Sequence, residues 1–547
     1  MHAVTVALRE QSSSSGLEET SSSANNSPEK SLSPRTSYLS DLHLPPIDQK
    51  SGDEIIEPIK EVTEGIKLLC MTCEEEIRVQ DLKIHREFHR ALQIFRYTMD
   101  NKPNTVKQLV TRRRSLMRKL NENANFENPV SIRKLQKLNA AYELLKSNLV
   151  DRWGTLREVA LVDPKEYHVM GQSTLLNCAL AFGICEDKNS RWKTTMEDRH
   201  TFCDYFCNDP QSGFFAVFDG YNGATAAGTS AKTFPEVLAR KVESVYRPGL
   251  ASEGVDAKIT TALRETYEDV DRILLYGVDE DSRNRWSGCS AVTCLLRGNK
   301  LYIANAGNVR AVLCKGDGSM IRLTQEHTPR NKRERHRVSK YGEVYKSEKT
   351  ALVNGLTTNT RGLGNHGDPH LKSSVICQPS VNCVTLDEAD QFVILATNGV
   401  WEVFSEEEVI LLLEDLMPEL DVKEIVRRMN NASEKKSKVA KQCNTKRESA
   451  KTTGSSQQES KSTSASSKSS DTISIRLPEI VSNKGKAATA SDSLIRMEEK
   501  AQELAKALSE RLVQSALMAG SKDNTTVAVI LLKGCPLQMF LLPSLRQ

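Results

Sequence analysis

The chain has 547 residues, 38% of them hydrophobic, enough for one large core plus accessory segments. Its 75 basic and 71 acidic residues nearly cancel, and a net charge of +4 argues against a general nucleic-acid or membrane-surface binder. No apolar run approaches the roughly 18 residues of a membrane span, and the opening apolar run at residues 3–8 is too short for a signal-peptide core. Thirteen cysteines, an odd number scattered mostly singly, fit reduced thiols in the cytoplasm or nucleus better than a disulfide framework.

Residues 1–60 form a serine-rich tail whose composition cannot offset chain entropy, so disorder is expected there. Ser27-Pro28 and Ser33-Pro34 are candidate phosphorylation sites, although such pairs also arise by chance in serine-rich tails.

Residues 61–100 carry Cys70-x-x-Cys73 and His85-x-x-x-His89, eleven residues apart. Two thiolates and two imidazoles at this spacing, with the histidines one helical turn apart, predict a tetrahedral zinc site. The competing reading is a fortuitous cluster in a helical lead-in. A single unit containing Glu74-Glu75-Glu76 lacks the basic helix of a nucleic-acid finger. Residues 81–92, with Glu87 between the histidines and Ala91-Leu92 after them, resemble the ubiquitin-binding zinc fingers of translesion polymerases. That resemblance implies ubiquitin contact through Glu87, Ala91 and Leu92; a purely structural zinc knot is the alternative.

Residues 101–160 read as a helical spacer, with helical apolar spacing over 105–120 and 131–153. The run Arg112-Arg113-Arg114 could meet an acidic partner, but a solvated helix face is the simpler reading.

Residues 161–534 read as one domain, and from Leu176 the texture changes to short apolar runs with alternation and glycine turns, a mixed α/β pattern. Residues 290–296 and 301–304 flank a Gly298-Asn299 turn and predict a β-hairpin. Helical patterns occupy 234–246, 257–276, 422–429 and 494–518, the last ending near Gly520 as a helix C-cap would. Residues 432–490, dominated by Ser, Lys, Thr and Gln, read as a disordered insertion inside one domain, because the strand at 525–532 follows it. Residues 535–547 are a short tail.

Three acid or amide residues sit at the ends of apolar runs: Asp219, Asn398 and Asp523. Adjacent strands ending together can aim such side chains into one cleft and gather hard oxygen ligands for Mg or Mn. Asp-Gly and Asn-Gly are also good turn formers, and these three sites alone favour turns.

Met196-Glu197-Asp198, Asp219-Gly220, the Gly307-Asn308 turn and residues 520–524 change that balance. They occur in the order and approximate spacing of the protein phosphatase 2C family, the metal-dependent Ser/Thr phosphatases. The resemblance runs on through residues 214–223, 287–313, 354–365 and 390–402, and covers about two-thirds of the chain. It implies an α/β (α+β) fold, a β-sandwich of two antiparallel sheets flanked by helices, with a two-metal cleft at one end. By the same resemblance Asp219 is the bridging aspartate, Gly220 offers its carbonyl, Glu197 and Asp198 are the acidic pair, and Asp523 is the last metal-binding aspartate.

Five positions depart from the family pattern. Asn398 and Asn308 replace metal-site aspartates, and Asn365 replaces the aspartate of Leu-Gly-Asp. Lys193 replaces the phosphate-binding arginine, and Tyr221 replaces the histidine after Asp-Gly. One carboxylate facing a divalent ion at about 4 Å is worth roughly 8 kcal/mol at an effective dielectric near 20, before desolvation offsets most of it. An amide offers an oxygen without the charge, a lysine cannot form the bidentate fork of arginine, and a phenol ordinarily near pKa 10 is a poor proton donor at neutral pH. The expectation is a catalytically inactive binding or regulatory protein whose partners are proteins, phosphoproteins or ubiquitin among them. A weakly active Mg- or Mn-dependent phosphatase using Glu197, Asp198, Asp219 and Asp523 is the second reading, and a zinc-finger adaptor the third.

Overall fold

Residues 527–532 are apolar without alternation, the signature of a strand buried on both faces rather than one half-exposed. The structure, a computed structural model, describes residues 65–122, 129–151, 169–246, 254–277, 282–346, 350–413, 416–417 and 490–537. The serine-rich tail, the helix expected at 422–429 and all but the last residue of the stretch 432–490 lie outside the described residues. The chain divides into two units, 1–61 and 62–547, and all that follows concerns the second.

The described chain opens with a hairpin of β1 (Lys67–Leu69) and β2 (Glu76–Arg78), then α1 (Leu82–Ile94), α2 (Val106–Glu122) and α3 (Pro129–Asp151). Apolar faces of these three helices meet in one cluster, with Phe88, Ala91, Leu92, Phe95, Leu109 and Leu145 buried in it. The arginine run serves this packing: Arg112 Nε donates to the Phe95 carbonyl at 3.0 Å, and the Arg113 guanidinium lies 4.4 Å from the Tyr142 ring centre. These two arginines tie the helices together and do not form a solvated face.

The larger part follows as β3 (Gln172–Leu175), β4 (Ala181–Asp187), β5 (Arg199–Asp204), β6 (Ser212–Tyr221), α4 (Thr225–Val242), α5 (Val255–Tyr276), β7 (Gly288–Arg297), β8 (Lys300–Ala306), β9 (Arg310–Lys315) and β10 (Met320–Arg322). Next come α6 (Lys332–Val338), β11 (Val344–Lys346), β12 (Ala351–Val353), β13 (Leu363–Gly364), α7 (Pro369–Ser374), β14 (Ser380–Thr385) and β15 (Asp390–Ala396). The short helices α8 (Asn398–Trp401) and α9 (Glu406–Leu412) lead to α10 (Ala490–Met518) and β16 (Thr525–Leu531). The hairpin predicted at 290–304 is β7–β8. The helix expected at 234–246 begins at Thr225, because its first turns bury only Ala226, Ala227 and Ser230, too small to register as an apolar stripe.

Two antiparallel sheets pack face to face. One runs β10-β9-β15-β16-β4-β3; the other runs β14-β8-β7-β6-β5, with β13 beside β7. Alternation along each strand divides the side chains between layers. Val393 and Leu395 of β15 and Ala528 and Ile530 of β16 meet Phe215, Val217, Val292 and Cys294 between the sheets. Their neighbours Ile394, Ala396, Val527 and Val529 face outward and are covered by α10, α8 and α9. Helices α4 and α5 cover the other sheet. Among the described residues no helix is long and apolar enough to cross a membrane.

Gly183 on β4 marks the closest approach of α10 to the sheet, since a Cβ there would lie 2.1 Å from the Ala505 carbonyl oxygen. The Ala505 carbonyl and the Gly183 Cα that would carry the methyl both belong to backbone that neighbours hold in place, so Gly183→Ala is expected to cost about 3 kcal/mol or more. A chemical-denaturation midpoint equal to that of the parent chain would contradict this close packing.

Candidate functional site

The sandwich brings three strand ends together. Strand β6 ends in Asp219-Gly220-Tyr221, β15 runs through Thr397 into Asn398, and Asp523 precedes β16; Glu197-Asp198 lead into β5. Gly220 is required by this convergence: a Cβ on it would sit 2.3 Å from the Glu197 carbonyl oxygen. Asn398 joins two of the acids, its backbone N–H donating to Asp219 Oδ2 and its Nδ2 to Asp523 Oδ2, both at 3.4 Å.

Each surviving carboxylate is engaged by the protein. Lys193 Nζ lies 2.5 Å from Asp523 Oδ1. Asp198 Oδ2 accepts from the Thr526 hydroxyl at 2.9 Å. Glu197 Oε1 accepts from the Gly223 N–H at 3.2 Å and the Thr195 hydroxyl at 3.1 Å. Burial pushes the Asp198 carboxyl up to about 7 despite its hydroxyl partners, and burial with the charges of Asp198 and Asp523 pushes Asp219 well up. Lys193 moves up as well; burial opposes that, but the Asp523 carboxylate outweighs it.

The other departures from the family pattern also have partners. Asn365 Nδ2 donates to the Tyr221 hydroxyl at 3.0 Å, and burial pushes that phenol above its ordinary range. Asn308 Oδ1 accepts from the Ser290 hydroxyl at 2.9 Å. Trp401 closes the turn after β15 by donating from Nε1 to the Ala396 carbonyl at 2.9 Å.

Two residues that position this cleft escaped the sequence reading. Thr397 and Thr526 are fully buried, and the Thr526 N–H donates to the Thr397 hydroxyl at 3.0 Å. Their only signal was hydroxyl residues at the margins of otherwise apolar runs.

A second network holds the segment leading to Asn365. The Glu334 carboxylate on α6 receives Arg361 Nη2 at 2.6 Å, the Thr360 hydroxyl at 2.8 Å and Arg337 Nη2 at 3.1 Å. Burial alone would raise this carboxyl, but the Arg361 contacts, then Thr360 and Arg337, hold it at about 2. Its contribution is therefore full above the ordinary glutamate range near 4.5 and fades as pH falls toward 2. Glu334→Gln is expected to cost about 3 kcal/mol at neutral pH, with the gap from the parent closing below about pH 4. Melting temperatures of both chains across pH 3–8 check it, and a gap independent of pH would contradict the assignment.

The cysteine–histidine segment is also assembled. Cys70 and Cys73 lie in the β1–β2 turn, where Glu74 takes a left-handed φ of 58°, and His85 and His89 sit on the first turns of α1. Cys70 Sγ is 3.4 Å from His89 Nε2, Cys73 Sγ is 3.4 Å from His85 Nε2, and the two Nε2 atoms are 2.9 Å apart. All four ligand atoms lie within 4.8 Å of one another, so the quartet could hold one metal ion. No other group of three or more His, Cys, Asp or Glu is gathered so closely among the described residues, the acidic cleft included. Burial opposes ionisation of Cys70, yet hydrogen bonds from His85 and the backbone at Thr72 and Cys73 hold its thiol down at about 6.

The ubiquitin reading requires correction. Ala91 and Leu92 are each 2% exposed, buried against α2 and α3, and of that trio only Glu87 faces solvent. The three cannot form one contact surface.

A family model described as protein phosphatase 2C matches residues 182–458, just over half of the chain. The chain belongs to that family. Among curated relatives, the human protein phosphatase 2C-like domain-containing protein 1 is 32% identical over 420 residues, 64% of this chain and 65% of the relative. Its mouse counterpart is 29% identical over 417 residues, 63% of this chain and 65% of that relative. The Schizosaccharomyces pombe protein phosphatase 2C homolog 1 is 33% identical over 235 residues, 42% of this chain and 62% of its own. The chain thus spans under two-thirds of the length of these relatives. Among solved structures, a serine-threonine phosphatase 2C from Toxoplasma gondii aligns with TM-score 0.40 and 20% identity, over 50% of this chain and 94% of that one. A C. elegans sex determining protein aligns with TM-score 0.42 and 18% identity, over 83% and 90%. In this protein phosphatase 2C member, the matched span stops at residue 458, while β16 lies in the middle of its sheet between β15 and β4.

Proposed function

We propose that this member of the protein phosphatase 2C family is non-catalytic and acts by binding other proteins. The observation that carries this reading is the state of Asp523: Lys193 covers one carboxylate oxygen at 2.5 Å, and the Asn398 amide faces the other at 3.4 Å. An ammonium thus stands where the family places a cation, and a neutral amide stands where it places a charge.

The remaining donors do not suit a pair of divalent ions. Asp198 is committed to Thr526, Glu197 to Gly223 and Thr195, and the acids are not drawn together as the cysteine–histidine quartet is. Hard divalent ions need several charged oxygens converging on one point. Tyr221, half-buried and bonded to Asn365, is no substitute for an acid that titrates near neutrality.

A single weakly held Mg or Mn ion is the second reading. It is favoured by the mutual influence of Asp198, Asp219 and Asp523, and by an Asn398 Oδ1 that is buried without a hydrogen-bond partner.

The cysteine–histidine quartet is proposed to hold zinc. A tetrahedral ion with bonds of about 2.0 Å to nitrogen and 2.3 Å to sulfur sets ligand separations of roughly 3.3–3.8 Å, close to those found. Reduced thiolate ligands and twelve free cysteines among the described residues support a cytoplasmic or nuclear setting.

Release of phosphate from p-nitrophenyl phosphate and from a phosphoserine peptide, with excess Mn, tests the reading. The parent chain and Asp219→Ala are expected to match the blank. Turnover that Asp219→Ala abolishes would establish the second reading instead.

A further inference from the structure

A small core of its own, Val338, Val353, Leu371 and Val375, joins α6, α7 and the β11–β12 hairpin into a lobe. Glu334 and Val338 are buried within it, so α6 turns its other side to solvent. Lys332, His336 and Lys340 follow one another there at four-residue steps, about one helical turn apart, with Arg333 beside Lys332. The turn after the helix keeps Lys340 in step, its N–H donating to the Arg337 carbonyl at 3.1 Å. All four are exposed, as is Lys346 on β11, and among the described residues none of the five forms an ion pair. The two other arginines of α6 are committed, Arg335 to the Pro329 carbonyl and Arg337 to Glu334.

Apolar surface adjoins these cations. Tyr341 follows Lys340 and is 59% exposed; Tyr345 precedes Lys346 and is 55% exposed. Tyr345 is the outward residue of β11, since Val344 before it packs on the core of the lobe. A Cβ on Gly355 would lie 3.8 Å from Tyr345 Cδ2, which sets the ring against the turn 353–356. That turn is closed by the Leu356 N–H donating to the Val353 carbonyl at 2.9 Å, and Leu356 is 61% exposed. Three large side chains more than half exposed are not the walls of a cleft; they crown a convex surface. Glu343, which accepts from the Tyr345 hydroxyl, is the one acid in residues 339–346.

A partner for this surface is anionic, accepts apolar side chains and needs no groove. A bilayer containing anionic lipids meets all three conditions. Its headgroups attract Lys and Arg, tyrosine rings settle at headgroup depth, and leucine reaches the acyl boundary. The near-zero net charge of the whole chain does not oppose this, because attraction decays within about 8 Å at physiological salt and only the facing patch acts. We propose that this lobe is a peripheral docking surface for an anionic bilayer, with Lys332, Arg333 and Lys340 at the headgroups and Tyr345 and Leu356 entering the interface.

Co-sedimentation of the full chain with vesicles of phosphatidylcholine, alone or with about one-quarter phosphatidylserine, tests it. Each facing cation is worth about fivefold in partition, so phosphatidylserine is expected to strengthen binding about tenfold or more, and added salt to weaken it. Lys332→Glu with Arg333→Glu should erase that gain. Both stand in the first turn of α6, where a cation opposes the helix dipole and a glutamate supports it, so the helix should hold. Leu356→Ser should weaken binding to the anionic vesicles roughly fivefold. Lys258→Glu, exposed on α5, which covers the other sheet, should leave binding unchanged. Equal binding to the two vesicles overturns the proposal. So does a gain that survives the charge reversal, a gain lost equally in Lys258→Glu, or an affinity indifferent to Leu356→Ser. Binding of polyglutamate or a single-stranded oligonucleotide that the reversal abolishes, without partition to either vesicle, would assign the cations to a soluble polyanion and overturn it as well.

Discussion

Asn398→Asp combined with Lys193→Met is expected to raise the affinity of the cleft for Mn at least tenfold, read by isothermal titration against the parent chain. The physical argument is a charge count at one carboxylate. Lys193 Nζ sits 2.5 Å from Asp523 Oδ1, so a cation entering there must displace or face an ammonium. Methionine keeps much of the length and removes the charge. Aspartate at 398 restores a negative oxygen beside Asp219 and Asp523, where the amide now lies within 3.4 Å of both. Each such change acts on a divalent ion by several kcal/mol before desolvation, and retaining about 1.4 kcal/mol of it gives the tenfold gain. Added repulsion among buried acids opposes folding, so metal-free stability should fall while metal-bound stability recovers. Unchanged Mn affinity in a folded double variant would dismiss the electrostatic account of the cleft. Asp219→Ala in the same background should abolish any gain.

Removing metal from the cysteine–histidine quartet is expected to destabilise the phosphatase-like part as well as the hairpin that holds the ligands. Strands β1 and β2 are three residues each and cannot hold the Cys70–Cys73 turn in place by pairing alone. Zinc contributes on the order of 10–16 kcal/mol in comparable small units at neutral pH. Leu68, Val79 and Leu82, next to that quartet, are buried in the same cluster as Val400, Trp401, Phe404 and Leu412. Exposing three such side chains costs about 5 kcal/mol. Chelation, or Cys73→Ala, should lower the melting temperature of the whole described unit, and zinc should restore it only in the chelated parent. Arg86→Ala, which removes the bonds to Val403 and Glu408 but no ligand, should shift melting less. A melting curve unchanged by chelation, in protein shown to have lost its metal, would refute this coupling.

Much of the candidate site was legible because its signals are local. Asp219, Asn398 and Asp523 stand at the margins of apolar runs, and Cys70, Cys73, His85 and His89 carry ligand spacing in a few tens of residues. The β7–β8 hairpin declared itself by its Gly298-Asn299 turn. What escaped depends on pairing across hundreds of residues. Thr526 meets Asp198, and Lys193 meets Asp523, 328 positions along the chain in the first case. Ala91 and Leu92 fit a surface motif by spacing alone, and only the approach of α2 and α3 shows that they are buried.

By itself the amino-acid sequence determined the chemical types available: which strand ends bear acids, which bear amides, and that two cysteines and two histidines recur at a spacing suited to one ion. Spacing and turn chemistry suffice for that, since each is decided within a few residues. Tertiary structure decided the pairings, placing an ammonium on Asp523, a phenol against Asn365 and α1 beside the turn after β15. Such contacts follow from how two sheets and their covering helices close on one another, a choice set by packing of the whole core that no local pattern encodes.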